Sequence, residues 1–291
     1  MLQHFRSQSV IMQPNHAIIQ SKEDLLSLFG SSKQLEILDS QQMKNLLALN
    51  VQPEVWEDAS NRNLLSFSQE FVQQTKEFTF YGIHIEYIHL LSFLTNLTKL
   101  DLQNNKISNI SSISKLKNLN KLNLSYNSIE DISALQSLLN LTHLHLFQNK
   151  LTSYTVALPN LVEFELSGNP LHDKSGLQHS PKLEIIYLFE TKTTDLRSIP
   201  HQLFGLKDLN LCQNNIIEIL YLSNFVDLQI LDLGCNKQLQ NIGPLKFCTQ
   251  LTELSIFETS VADIWPLQYM KNLKTFYTGF YKYASLSIQY V

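Results

Sequence analysis

The sequence predicts an α/β-type solenoid. A curved parallel sheet lines its concave side, turns or 3₁₀ segments form its convex side, and a helical cap closes its N-terminal end. Three observations predict this. Leucine makes up 52 of the 291 residues. The leucines fall in one frame, LxxLxLxxNxI, seen in Leu97-Thr-Lys-Leu100-Asp-Leu102-Gln-Asn-Asn105-Lys-Ile107. That frame returns 22 residues later as Leu119-Asn-Lys-Leu122-Asn-Leu124-Ser-Tyr-Asn127-Ser-Ile129, and again at Leu141, Leu144, Leu146, Asn149 and Leu151. Self-similarity at such a period is the mark of a stacked-coil architecture.

The elements follow in chain order. Residues 1–44 read as an N-terminal tail and helical cap. Within them Ser21 precedes the apolar run Leu25, Leu26, Leu28 and Phe29, which stops at Gly30, a helix with a start cap and a stop residue. Residues 33–44 fit a second helix. Residues 45–74 read as a degenerate early repeat and connection, because 45–60 aligns with 118–133; two short helices broken at Pro53 are the competing reading. Residues 75–283 form the array proper. The fourth-position residue of each copy is Phe78, Leu100, Leu122, Leu144, Phe164, Ile186, Leu209, Leu231, Leu254 and Phe276, all apolar, at steps of 20 to 23 residues. The last copy carries Phe276, Tyr277, Phe280, Tyr281 and Tyr283, which either shield the open end, the favoured reading, or pair with another chain, and 284–291 is a C-terminal tail.

The physics of one coil is simple. In LxLxx the alternation has period two, so the leucines face inward and the residues between them face out. Apolar residues such as Ile110, Ile113 and Leu116 then return on the other side. One coil of this length cannot bury both rows alone, whereas stacking on neighbours does. Only about ten residues remain for the return, too few for a full helix and enough for a turn or 3₁₀ piece. The ninth position reads Asn105, Asn127, Asn149, Asn169, Thr191, Asn214, Asn236 and Thr259. An inward Asn can donate to and accept from backbone groups of its own turn and the next. These asparagines therefore form a structural ladder, with the turns of Thr191 and Thr259 held less firmly and Ile83 breaking the ladder at the first copy.

This frame resembles the leucine-rich repeat family in its 22-residue class, which includes a regulatory subunit of type-1 protein phosphatase and the bacterial internalins. The resemblance covers roughly residues 70–280. It implies a horseshoe fold, a protein partner held on the concave face, and a phosphatase catalytic subunit as one possible partner.

The outward positions are the third, fifth, seventh and eighth of each copy. From Glu163 to Glu258 they hold seven acids (Glu163, Glu165, Glu190, Asp208, Asp232, Glu253 and Glu258) and no Lys or Arg. Phe147, Tyr187, Phe189 and Phe257 are interleaved with them. Exposed aromatics are frequent anchors of protein interfaces, and acids around them favour a partner with a basic patch. These eleven residues are the candidate partner-binding set. The same acids repel nucleic acid. With 22 Lys+Arg against 26 Asp+Glu, a net charge of −4, the chain shows no basic excess either.

Other chemistry is thinly represented. His143 and His145 with Glu163 and Glu165 on the next strand could ligate a divalent metal, but an ordinary polar face is the expectation, with no metal and no cofactor. Cys212, Cys235 and Cys248 are an odd set without CxxC, and Cys212 and Cys235 read as packing residues. No G-x-S-x-G, P-loop, HExxH or dinucleotide fingerprint occurs, so no enzyme is expected. No run of 18 apolar residues is present, and the first twenty residues lack a secretory apolar core, so neither a membrane span nor secretion is expected. Four Asn-x-Ser/Thr triplets, at Asn96, Asn109, Asn123 and Asn140, arise from the repeat consensus itself. The functional expectation is an intracellular adaptor or regulatory subunit, cytoplasmic or nuclear. The alternative is a surface or secreted adhesion-type protein.

Overall fold

The computed structural model describes Ser21, Glu23, Leu26, Leu35–Ile37 and residues 40–62 and 65–279. The chain forms two compact units, one of residues 1–120 with 127–138 and one of 121–126 with 139–291. Most of the expected first helix, and Phe280, Tyr281, Tyr283 and the tail 284–291, lie outside the described residues.

The first unit opens with β1 (Leu35–Ile37), α1 (Ser40–Ala48), α2 (Pro53–Asn61) and β2 (Leu65–Phe67). β1 and β2 pair in parallel, Leu35 against Leu65 and Ile37 against Phe67. The expected helix over 33–44 is thus a strand followed by the start of a helix. Leu35 and Ile37 alternate at period two and are both buried, which a strand allows and a helix face does not. Nor do residues 45–60 take a repeat conformation. They hold the end of α1 and nearly all of α2, and Pro53 sits in the first turn of α2, where its missing N–H costs nothing. Both helices bury an apolar face through Met43, Leu46, Leu47, Trp56 and Ala59. Further along come α3 (Gln69–Gln74), capped by the Ser68 hydroxyl accepting from the Phe71 N–H, and β3 (Glu77–Thr79). Lys44 lies 5.8 Å above the Phe78 ring, so α1 meets the first repeat strand. β3 pairs in parallel with β4 (Lys99–Asp101), Phe78 against Leu100. The returns of this unit are 3₁₀ segments, η1 (His89–Phe93), η2 (Ser111–Lys115) and η3 (Ser133–Ser137). They bury Leu91, Ile113 and Leu135.

The second unit is a parallel sheet of eight strands in chain order. They are β5 (Lys121–Asn123), β6 (His143–His145), β7 (Glu163–Glu165), β8 (Ile185–Tyr187), β9 (Asp208–Asn210), β10 (Ile230–Asp232), β11 (Glu253–Ser255) and β12 (Thr275–Tyr277). The central residue of every strand points into the core and is fully or almost fully buried. Their returns are η4 (Ser175–His179), η5 (Leu196–Ser198), η6 (Leu220–Asn224), η7 (Gly243–Phe247) and η8 (Trp265–Tyr269). The tighter i→i+3 bond, as in Leu222 N–H to the Ile219 carbonyl at 3.0 Å, places one buried leucine per return within the few residues available. The 20-residue step from Leu144 to Phe164 has no such segment. Its return is irregular, and Tyr154, fully buried, packs its ring 4.6 Å from that of Phe164. Burial pushes the Tyr154 hydroxyl up to about 12. No helix among the described residues is long and apolar enough to cross a membrane.

The ninth-position asparagines tie coil to coil. Asn169 donates to the carbonyls of Leu146 and Leu166, both at 2.8 Å, and accepts from the Leu151 N–H. Asn214 donates to Leu188 and Leu211 and accepts from Thr191 and Thr193. Asn105, Asn127, Asn149 and Asn236 likewise donate to a carbonyl of the preceding coil. The turn of Thr191 is not loose. Its hydroxyl donates to the Leu188 carbonyl at 3.0 Å, and Asn214 of the next coil accepts from its N–H. Thr259 makes the matching bond to the Ile256 carbonyl at 2.7 Å.

One regularity was not read from the sequence. Among the described residues the eighth position of each coil is left-handed: Gly82, Asn104, Tyr126, Gln148, Gly168, Glu190, Gln213, Cys235 and Glu258 all have φ between 50° and 71°. The conformation turns the chain away from the strand so that the ninth side chain can point inward. Only two of the nine are glycine, and the others bear the modest cost of that conformation.

Candidate protein-binding face

All eleven candidate partner-binding residues belong to the second unit. None enters the core. Glu190 is exposed and the other ten are half-buried on the outward side of the sheet. Strand pairing arranges them in rows. The third-position row runs Lys121, His143, Glu163, Ile185, Asp208, Ile230, Glu253 and Thr275. The fifth-position row runs Asn123, His145, Glu165, Tyr187, Asn210, Asp232, Ser255 and Tyr277. Beyond the strands the ladder continues: Gln148 donates to the Ser167 carbonyl, Gly168 to Phe189 and Glu190 to Cys212. Phe147, Ser167, Phe189 and Cys212 are therefore neighbours in a seventh-position row. Phe189 stands between two buried small residues, Ser167 and Cys212.

The acids divide by what they touch. Glu165 accepts from the Ser167 N–H at 2.7 Å and Asp232 from the Gly234 N–H at 2.9 Å. Asn210 does the same for Cys212. These fifth-position side chains close their own turns, so two of the seven acids have a structural share that the sequence reading did not assign. Asp208 accepts from the Tyr187 hydroxyl at 3.1 Å and fixes that ring against the sheet. Glu163 spans the two histidines, 2.8 Å from His145 and 3.7 Å from His143. Glu258 lies 3.7 Å from the Cys235 thiol.

Electrostatics follow from crowding. Burial raises the pKa of the Glu165 carboxyl despite its hydrogen bonds to Ser167, and burial with neighbouring acids raises that of Asp208. The Tyr187 hydroxyl is pushed up by burial and by Asp208. His143 is lowered by burial and by Lys121. Among the described residues no group of three or more His, Cys, Asp or Glu side chains is placed to hold a metal ion. The three cysteines are free thiols. Burial pushes the thiol of Cys212 up, and that of Cys248 up to about 12, so both stay protonated and serve packing.

Aromatic contacts complete the face. Phe147 meets Tyr126 edge-on at 4.9 Å. Phe257 packs against Gly234, so close that a Cβ there would fall 2.2 Å from the ring. Gly234 thus lets Phe257 rest against the sheet, and the sequence held no separate signal for that pairing.

Residues 95–137 and 117–156 match two copies of the family model for leucine-rich repeats. No curated protein sequence matches the chain. Three solved structures from Listeria monocytogenes resemble it. An internalin, InlF, is 24% identical over 72% of this chain and 75% of its own, with a TM-score of 0.47. Internalin C2 is 22% identical over 72% and 84%, at a TM-score of 0.54. The functional domain of InlJ is 23% identical over 72% of this chain and 50% of its own, at 0.56. The last two share the parallel-stranded solenoid fold with this chain. Repeat frame, strand order and asparagine ladder agree with that match, and residues 95–156 carry leucine-rich repeats.

Proposed function

We propose that this protein is an interaction scaffold that captures a basic protein partner on the acid and aromatic face of its second unit, as an intracellular adaptor or regulatory subunit. One observation carries the reading. From Glu163 to Glu258, twenty outward positions hold seven carboxylates and no Lys or Arg, with half-buried Tyr187, Phe189 and Phe257 among them. Such a face attracts cations over distance and supplies apolar area once contact is made. A rigid sheet of backbone-paired strands presents that surface without an ordering cost. A phosphatase catalytic subunit is one partner class that the repeat resemblance suggests.

The test is affinity capture with the wild-type chain and two variants. Phe189→Ala removes an aromatic anchor. Glu190→Lys with Glu253→Lys reverses charge at acids that close no turn. Both should lose the partner that the wild type retains while melting within a few degrees of it. Retention of the same partner by both variants refutes the face. Display at a cell surface is a second reading, favoured by the fold shared with internalin C2. Its discriminator is the location of a tagged full-length chain in its native cell.

A further inference from the structure

The acids of this face are not scattered. Along the third-position row, carboxylate and isoleucine alternate over five adjacent strands: Glu163, Ile185, Asp208, Ile230 and Glu253. Neighbouring strands lie about 4.8 Å apart, so like residues recur at about 9.6 Å. The seventh-position row shares the period where it faces β6 to β9, as Phe147, Ser167, Phe189 and Cys212 alternate large and small. At β8 the two patterns coincide. Ile185, Tyr187 and Phe189 make an apolar strip, flanked by a polar strip of Glu163, Glu165 and Ser167 and another of Asp208, Asn210 and Cys212.

Resting on the binding reading above, we infer that this face takes an extended basic segment in the polyproline II conformation, with a cation at every third residue. That helix has three residues per turn and rises about 3.1 Å per residue, so its equivalent side chains recur at about 9.3 Å. Cations at i, i+3 and i+6 then face Glu163, Asp208 and Glu253. The intervening apolar residues, prolines among them, project to the two flanks, one set beside Tyr187 and Phe189, and the aliphatic stems of the cations cross Ile185 and Ile230. Aromatic-lined surfaces are established receivers of this conformation, because its rings offer flat faces and its backbone is already extended. The other regular conformations fit less well. A β-strand repeats on one face at about 6.7 Å, out of step with 9.6 Å. An α-helix recurs at about 10.5 Å over seven residues, and across three carboxylates that difference becomes almost 2 Å.

The probe is a synthetic peptide, acetyl-Lys-Pro-Leu-Lys-Pro-Leu-Lys-amide, measured by fluorescence anisotropy against the full chain at low salt. Two controls carry three lysines each: Pro-Leu-Lys-Lys-Lys-Pro-Leu of the same composition, and an alanine-based helical peptide with lysine at every seventh position. The expected result is binding by the first peptide at least about tenfold tighter than by either control. Glu163→Gln with Glu253→Gln should weaken it by a similar factor, as should Ile185→Ala, with circular dichroism unchanged. Equal binding of all three peptides, lost in the charge variants, overturns the spacing while leaving the acid face as a binding surface. Tighter binding of the helical peptide assigns the face to a helix and overturns the proposal. No binding of the first peptide below about 1 mM overturns it as well. The capture experiment above fails separately, because it reads the native partner and no peptide.

Discussion

Removing the Asn214 side chain is the sharpest test of how the coils are held together. Asn214 is buried, and its amide serves five backbone groups: the carbonyls of Leu188 at 2.7 Å, Leu211 at 2.9 Å and Cys212 at 3.1 Å, and the N–H groups of Thr191 at 3.1 Å and Thr193 at 2.8 Å. Asn214→Ala orphans the two N–H groups in a place with little access to water, while the carbonyls keep other donors: Leu188 the Thr191 hydroxyl, Leu211 the Asn236 amide and Cys212 the Glu190 N–H. At about 1–2 kcal/mol for each orphaned N–H, the loss is about 2–4 kcal/mol. Water entering the small gap would hold it near the lower end by roughly replacing one bond. Urea denaturation followed by circular dichroism measures it, with Asn215→Ala as the control, because Asn215 is the exposed neighbour and should change stability by less than about 0.5 kcal/mol. Hydrogen exchange adds a local reading: the amides of Thr191 and Thr193 should exchange faster in the variant before distant ones do. A loss below about 1 kcal/mol, with those two amides still protected, would refute the ladder as a source of stability.

Three further outcomes are expected. Leu146→Ala, at a site with no solvent exposure, should cost about 2–5 kcal/mol in denaturant unfolding, as cavities of this kind do. Gly234→Val drives a side chain into the Phe257 ring and should lower stability by about 1–3 kcal/mol by overpacking, while a near-neutral melting temperature would show the ring free to leave. Burial raises the folded Glu165 carboxyl above its unfolded value. The fold therefore binds more protons in the window between the two pKa values, and stability falls as pH rises through it. Glu165→Gln keeps an oxygen for Ser167 and removes the titration, so it should melt higher than wild type at neutral pH and lose that advantage as pH falls through the folded carboxyl's pKa. A gap that widens on acidification contradicts this sign.

Much was legible in the chain because each coil repeats the same local problem. A leucine at the fourth position meets the fourth position of the next coil, so one frame determined the strand centres, the inward rows, the ninth-position asparagines and which residues face out. The N-terminal region did not follow that frame. Leu35 and Leu65 pair at a separation of 30 residues with two helices between them, outside the 22-residue period by which 45–60 had been aligned. The left-handed eighth residues were hidden for another reason. Tyr126, Glu190 and Cys235 take that conformation against their own preference, because the coil must turn there whatever the residue.

The sequence by itself determined that a row of carboxylates and aromatics would face away from the core, since period-two alternation leaves them no other side. Only the tertiary structure decided which of them stand together. Coils of 20, 22 and 23 residues come into register because the returns absorb the difference, through an irregular run at Tyr154 in one coil and 3₁₀ turns in others. That register sets Glu163 beside Ile185 and Ile185 beside Asp208. It also spends Glu165 and Asp232 on their own turns, since a buried N–H must find an acceptor and the nearest one was a side chain that counting charges had assigned to a partner.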